Sequence, residues 1–275
     1  MTDDKNAWWE QPSITTGMLI DDLRGLSLAE GSVVLVHSSL SQLGNVAGGA
    51  DAVIDALLKV VGPTGTVLFP TLTGTERDSP DDPPVMDVRS TPCWTGRIPE
   101  TARQRPYAVR SLHPTHSISA LGAAADRYAA GHETGGTPCD QHSPYYRLID
   151  EGGFILLLGG VSQESNTTLH CLEELAAVPY HLQPDVTDGV VIDADGDEHI
   201  VRNRLHLWQW EREFTKVNGP LAAAGALQSG IVGKSIAQLM SAKILADTIL
   251  PMMREDPLYL LSDQSREIMH ATSHV

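Results

Sequence analysis

Two apolar, β-branched segments flanking a helical one, all within the first seventy residues, restrict this chain more than any other feature. Ser32-Val33-Val34-Leu35-Val36 reads as a short strand. After Gly48-Gly49, the stretch Asp51 to Val61 carries apolar residues at helical spacing, and Gly62-Pro63-Thr64-Gly65 stops it. Thr66-Val67-Leu68-Phe69-Pro70 is the next strand. A strand, helix, strand order sets the two strands parallel, because the crossover helix must cover a face of their sheet. The expected fold is therefore α/β: one domain spanning 1–275, with a central mixed, partly parallel sheet flanked by helices.

Thr15 and Thr16 precede a periodic segment, Met18 to Leu26, as helix caps do. Phe154-Ile155-Leu156-Leu157-Leu158, apolar throughout and bounded by glycines, is expected to be a central strand covered on both faces. Asn166 is expected to open a helix. Val190-Val191-Ile192 and Glu198-His199-Ile200-Val201, joined through Asp195-Gly196, read as a hairpin. Lys234 to about Met253 reads as an amphipathic helix. Residues 71–100 break pattern and are expected to form an irregular surface excursion.

A formal charge of -16 argues against nucleic acid as a partner, since phosphates are held by Lys and Arg, and favours a cationic small molecule. Four acids in the excursion, Glu76, Asp78, Asp81 and Asp82, are candidates to attract one. The opening stretch Met1 to Gly17 is polar and acidic, with Trp8 and Trp9, and no run of eighteen apolar residues occurs. A cytoplasmic protein with no membrane association is expected. Cys93, Cys139 and Cys171 are too scattered for a disulfide framework or a zinc site, and no four-ligand metal set with usual spacing emerges.

The sharpest local signal is Asn166-Thr167-Thr168-Leu169-His170-Cys171-Leu172-Glu173-Glu174, which follows the buried strand. At about 100° per residue, Leu169, Leu172 and Ala176 share an apolar stripe, while Thr167, His170 and Glu174 fall on the other side. A histidine there suits proton transfer near neutral pH if a carboxylate fixes its tautomer. Glu173 falls nearer the apolar stripe, which suits a structural brace. His37-Ser38-Ser39-Leu40 sits at a strand's carboxyl end, where α/β folds bind ligands. Arg110-Ser111-Leu112-His113-Pro114-Thr115-His116-Ser117 combines a permanent cation with hydroxyl and imidazole donors, a set suited to phosphates.

In order, Val36 to Leu40, Gly48-Gly49, Ser90-Thr91-Pro92 with Gly96-Arg97-Ile98-Pro99-Glu100, Arg110 to Ser117, Ser143-Pro144-Tyr145, Leu158-Gly159-Gly160 and Thr167 to Glu173 resemble the aminoglycoside 3-N-acetyltransferases of the antibiotic N-acetyltransferase family. The resemblance covers roughly residues 15–255. It implies acetyl transfer from acetyl-CoA to an amine of an aminoglycoside, a cationic antibiotic, on a fold unrelated to the larger superfamily of acetyltransferases and with no metal. The family's Thr-x-x-His-x-x-Glu pattern falls on Thr167, His170 and Glu173, with His170 as base and Thr167 near the developing oxyanion. His37, Ser38, Ser39, Leu40, Arg110, His113, His116 and Ser117 fall on segments implicated in holding CoA. The resemblance also implies a later acid that orients the histidine, here Glu213 or Glu211, with Glu213 favoured. Glu174 joins the four excursion acids as a candidate acceptor contact.

Competing readings are weaker. Gly160-Val161-Ser162-Gln163-Glu164 imitates a hydrolase elbow but carries glutamate where a small residue is required. Gly233-Lys234-Ser235 lacks the earlier glycine of a phosphate loop, Gln228 standing in its place. A related acetyltransferase acting on another small amine, or a drug-binding relative without turnover, remains the alternative.

Overall fold

A computed structural model describes residues 13–272. The reading of the opening stretch falls largely outside the described residues. Seven strands form the main sheet, in the order β4 (Val109–Arg110), β5 (Ile118–Gly122), β2 (Thr66–Pro70), β1 (Val33–Ser38), β6 (Phe154–Leu158), β10 (Ser235–Ser241) and β9 (Leu227–Val232). At its centre β1 pairs in parallel with both β2 and β6, as the crossover through α2 (Gly49–Val61) requires. The outer pairings, β2 with β5, β5 with β4, β6 with β10 and β10 with β9, are antiparallel.

Because successive strand residues face opposite ways, each central strand feeds two cores. Val34 and Val36 of β1 and Leu156 and Leu158 of β6 pack with α1 (Thr16–Gly25), α2 and α3 (Arg97–Arg103). Leu35, Ile155 and Leu157 pack on the other face with α5 (Pro144–Asp150), α6 (Thr168–Leu175) and α8 (Ala242–Glu255). Burying one large aliphatic side chain in such a layer contributes about 1.5–3 kcal/mol, so truncating Leu156, fully buried, is a core lesion. Caps set the helix starts: Thr15 Oγ1 accepts from Met18 N at 3.3 Å, and Ser143 Oγ accepts from Tyr146 N at 3.1 Å. The short α4 (Ala125–Ala129) and α7 (Asn218–Ala223) and the terminal α9 (Asp263–Thr272) complete the helical layers.

Two expectations are corrected here. Ser235–Ser241 is strand, not helix: β9 turns through Gly233 and Lys234, the glycine at a φ of +63° that favours it, and returns as β10 beside β6. The helix begins only after Ser241, whose hydroxyl accepts from Ile244 N at 3.4 Å. The excursion at 71–100 is also more ordered than expected. It supplies β3 (Val85–Asp87), which pairs in parallel with β7 (Thr187–Ile192), itself antiparallel to β8 (Glu198–Asn203). This second sheet has a small core of its own in Met86, Val191 and Val201. No helix among the described residues is long and apolar enough to cross a membrane.

Candidate active site

Parallel strands end together, and the chain leaving β1, β2 and β6 meets at one cavity of about 400 Å³, a volume that suits a small organic ligand. His37 and Ser38 line it from β1, Pro70 and Leu72 follow β2, and Glu164, Thr167 and His170 follow β6. Gly159, with φ +81°, lets that last segment pass: a Cβ there would lie 2.3 Å from Ser39 O. Asn166 does not begin α6 but lies just before its N-cap, Thr167, with its Oδ1 accepting from Thr168 N at 3.2 Å.

His170 stands one turn into α6. Its Nδ1 donates to Glu173 Oε2 at 2.6 Å, which leaves Nε2 on the exposed edge of a ring one quarter accessible. Glu173 is fully buried, as its place near the apolar stripe suggested, yet it serves the imidazole three residues earlier and not the core alone. Arg212 Nε donates to Glu173 Oε1 at 3.0 Å. Burial pushes the Glu173 carboxyl up, but His181, His170 and Arg212 outweigh it and hold the pKa at about 2. The ring of His170 lies between His181, stacked at 5.2 Å, and Phe214, edge-on at 5.2 Å. What this arrangement can do is accept a proton at a cavity wall while a fixed carboxylate supports the resulting cation.

Neither Glu211 nor Glu213 lines the cavity. Burial alternates along 211–214: Arg212 and Phe214, the latter opening a 3-10 turn, face inward, and Glu211 and Glu213 are exposed. Glu213 pairs with Lys216 at 3.2 Å instead. Glu174 is likewise withdrawn from the cavity. It accepts from Thr137 Oγ1 and from Cys139 N, and its Oε1 lies 2.7 Å from His206 Nε2. Burial pushes Glu174 up to about 8 and keeps His206 well below the usual imidazole range, so the pair holds one proton between them at neutral pH.

The segments expected to hold a cofactor divide. His37, Ser38 and His116 line the cavity, and both His37 Nε2 and Ser38 Oγ are buried without a partner. Burial and the nearby His170 lower the His37 pKa to about 3. Ser39 and Leu40 lie beyond the lining, where Leu40 begins a 3-10 turn. Arg110, His113 and Ser117 lie behind it. Arg110 gives its guanidinium to Thr91 O at 2.7 Å, Thr71 O at 3.0 Å and Ser117 Oγ at 3.1 Å, so no donor edge is presented to a phosphate. His113 Nδ1 accepts from the backbone N–H of Thr115 and His116.

Of the excursion acids, none lines the cavity. Asp78 folds back on Thr75, accepting from its N at 2.8 Å. The excursion reaches the cavity instead through Leu72, Trp94, Thr95 and Pro99, with Trp94 Nε1 donating to Gly74 O at 2.9 Å. Sequence reasoning overlooked the opposite wall: Trp94 and Trp208 meet edge-to-face at 6.4 Å, with Trp210, His206 and Arg212 beside them. Tryptophan spacing at 208 and 210 was the available signal. Glu164, exposed, is the acidic side chain in that lining.

Comparison with known proteins agrees with this geometry. The family profile described as aminoglycoside 3-N-acetyltransferase matches residues 35–254. Aminoglycoside N(3)-acetyltransferase VII of Streptomyces paromomycinus is 34% identical over 270 residues, covering 88% of this chain and 92% of the relative. The crystal structure of aminoglycoside acetyltransferase AAC(3)-IVa superposes with a TM-score of 0.78 at 28% identity, covering 92% of this chain and 93% of the other. That of AAC-IIIb, binary with CoASH, does so at 0.75 and 26%, covering 89% and 97%. A sheet, a cavity and an ordered motif set thus point the same way, and the chain belongs to the aminoglycoside 3-N-acetyltransferase family of acyltransferases.

Proposed function

We propose that this chain transfers the acetyl group of acetyl-CoA to an amine, the 3-amino group, of an aminoglycoside antibiotic, and that it confers resistance from the cytoplasm. The observation that carries the reading is the 2.6 Å bond from His170 Nδ1 to buried Glu173, which fixes the tautomer and turns Nε2 toward the cavity. An ammonium has no lone pair, so a base must make the amine nucleophilic. Positioned acid–base catalysis supplies about 10²–10⁴-fold. His170 Nε2 takes the proton as the amine nitrogen bonds to the thioester carbonyl carbon and the carbon–sulfur bond breaks, and the departing thiolate accepts a proton in turn. Glu173, held by Arg212, supports the imidazolium in the interval. Thr167, whose hydroxyl does not cap α6, lines the cavity where charge develops on oxygen. The step uses the imidazole lone pair itself and needs no metal.

Bound acetyl-CoA supplies an activated carbonyl carbon. The orphaned His37 Nε2 and Ser38 Oγ, with His116 beside them, fit a ligand rich in amides and hydroxyls, because buried polar atoms without partners are costly until something meets them. Glu164 meets a cationic acceptor directly, and Trp94 and Trp208 flank sugar rings. Glu76, Asp78, Asp81 and Asp82 act at longer range, by steering. Mass spectrometry of an aminoglycoside panel incubated with enzyme and acetyl-CoA tests the reading: one acetyl increment, absent without either component, is expected. An increment confined to other small amines would exclude the antibiotic as acceptor.

A further inference from the structure

Three imidazoles meet at the cavity wall, His170 and His206 lining it and His181 buried against them. His170 comes from α6, His181 from the loop after it and His206 from the stretch after β8. Their ring centres lie 5.2 Å (170 to 181), 5.2 Å (170 to 206) and 3.9 Å (181 to 206) apart, and one ring nitrogen from each falls within 4.8 Å of the others. Acetyl transfer by a single base accounts for one of the three.

What the other two are suited to follows from their backing. Glu173 Oε2 lies 2.6 Å from His170 Nδ1 and 3.1 Å from His181 Nδ1, and Glu174 Oε1 lies 2.7 Å from His206 Nε2. Each ring thus has a buried carboxyl group within 3.1 Å of one nitrogen, and His170 Nε2, His181 Nε2 and His206 Nδ1 are the other three. A carboxylate behind each imidazole is the arrangement that orients histidines toward a metal ion and raises their basicity. The independent sign is His181: the residue is 1% exposed, and its Nε2 has no hydrogen-bond partner. Its Nδ1 also lies 3.0 Å from Arg212 Nη2, so an ion on Nε2 places the proton on Nδ1, donating to Glu173, while that Arg212 nitrogen keeps Leu207 O at 3.3 Å.

We propose that His170, His181 and His206 form a binding site for Zn²⁺, and that the bound ion inhibits the enzyme by occupying the His170 lone pair. Imidazole nitrogen selects a borderline cation such as zinc over Mg²⁺ or Ca²⁺, which take oxygen. Three histidines leave the fourth tetrahedral position to water from the cavity, through which the ion enters past His170 and His206. Zinc bonds of about 2.0–2.1 Å put ligand nitrogens roughly 3.4 Å apart, so one nitrogen per ring, now within 4.8 Å of the others, closes by about 1 Å. Binding does not depend on the acetyltransferase reading; inhibition rests on it.

The test uses the whole chain, freed of metal by a chelator and without CoA or aminoglycoside. Zn²⁺ is titrated by calorimetry, and Co²⁺ by its visible absorption. We expect one ion per chain and the intense bands of a four- or five-coordinate Co²⁺ site, displaced by Zn²⁺. His181→Gln and His206→Gln should each weaken binding by at least about 10–100-fold, with circular dichroism confirming the fold. His142→Gln and His199→Gln, at half-buried imidazoles paired with Asp140 and Asp193 elsewhere, should change nothing. Absence of a stoichiometric ion in the unaltered chain, or only weak octahedral Co²⁺ bands, overturns the site whether or not the variants fold. So does full affinity in both cluster variants. In the second arm, Zn²⁺ should block acetyl transfer, relieved by chelator. A cluster-dependent ion that leaves turnover intact overturns the inhibition and His170 as base together, while the site stands.

Discussion

Two buried polar networks lie within a few residues of the same cavity and do opposite things. Around Arg110, a cation is spent on Thr71 O, Thr91 O and Ser117 Oγ, and burial lowers its pKa only to about 10, so it stays charged and inward. Around Glu173, an anion is shared between Arg212 and His170, and the far edge of the imidazole is left open. The first network closes on itself and joins strands. The second is satisfied on one side only, and the unsatisfied side faces the ligand. Buried charge alone therefore does not mark chemistry; a free nitrogen at the cavity wall does.

The largest effect that would break this contrast is at His170. His170→Ala should lower kcat by about 10²–10⁴-fold while thermal unfolding and acetyl-CoA binding change little. Near-normal kcat would place the base elsewhere. Next is Arg110→Met, which strands two carbonyls and a hydroxyl in the interior and should cost about 2–4 kcal/mol in denaturant unfolding. Its folded fraction should keep the KM for acetyl-CoA. A several-fold rise in that KM, with stability unchanged, would instead make Arg110 a cofactor contact.

Glu174 sharpens the comparison, because it belongs to neither network and titrates differently. Its folded pKa is about 8 against an ordinary 4.5, so between those values the folded chain holds a proton that the unfolded chain has released. The stability so contributed is complete below pH 4.5 and is lost as pH rises through 8. Glu174→Gln should flatten that part of the decline when melting temperatures are compared at pH 5 and pH 8.5. Glu173 has the reverse sign: held at about 2, it contributes stability above pH 4.5 that disappears only as pH falls through about 2. Identical pH slopes for the unaltered chain and Glu174→Gln would mean that the carboxylate is ionised in the fold.

Local periodicity carried the central sheet. β2 and β6 run over the residues expected, Thr66–Pro70 and Phe154–Leu158, because uniformly apolar strands in a two-sided core leave a contiguous pattern. β10 was hidden because its apolar residues run directly into α8, and only Gly233 marks the turn before it. His170 was legible from its position after a buried strand. His181, His206 and Arg212 were not, since each comes from an irregular segment whose neighbours are set by tertiary packing rather than spacing. The excursion acids illustrate the same limit: a charge run reveals polarity but not the direction it faces.

The smallest expected effect settles how the histidine is oriented. A helical wheel sends Glu173 toward the apolar side, and the burial is real, but a carboxylate in an apolar layer is stable only if cations or donors meet it. His170 and Arg212 meet this one. Glu213 satisfies the other criterion, distance along the chain, yet its side chain is about half exposed and paired with Lys216. Exposed pairs of this kind contribute about 0–1 kcal/mol. Glu213→Gln should therefore leave kcat unchanged and shift stability by no more than about 0.5 kcal/mol, whereas Glu173→Gln, which keeps the shape and removes the charge, should lower kcat. If the two variants exchanged roles in that assay, the 2.6 Å contact would be a packing feature, and the acid that supports the imidazolium would have to reach His170 by a rearrangement of the irregular 210–214 segment.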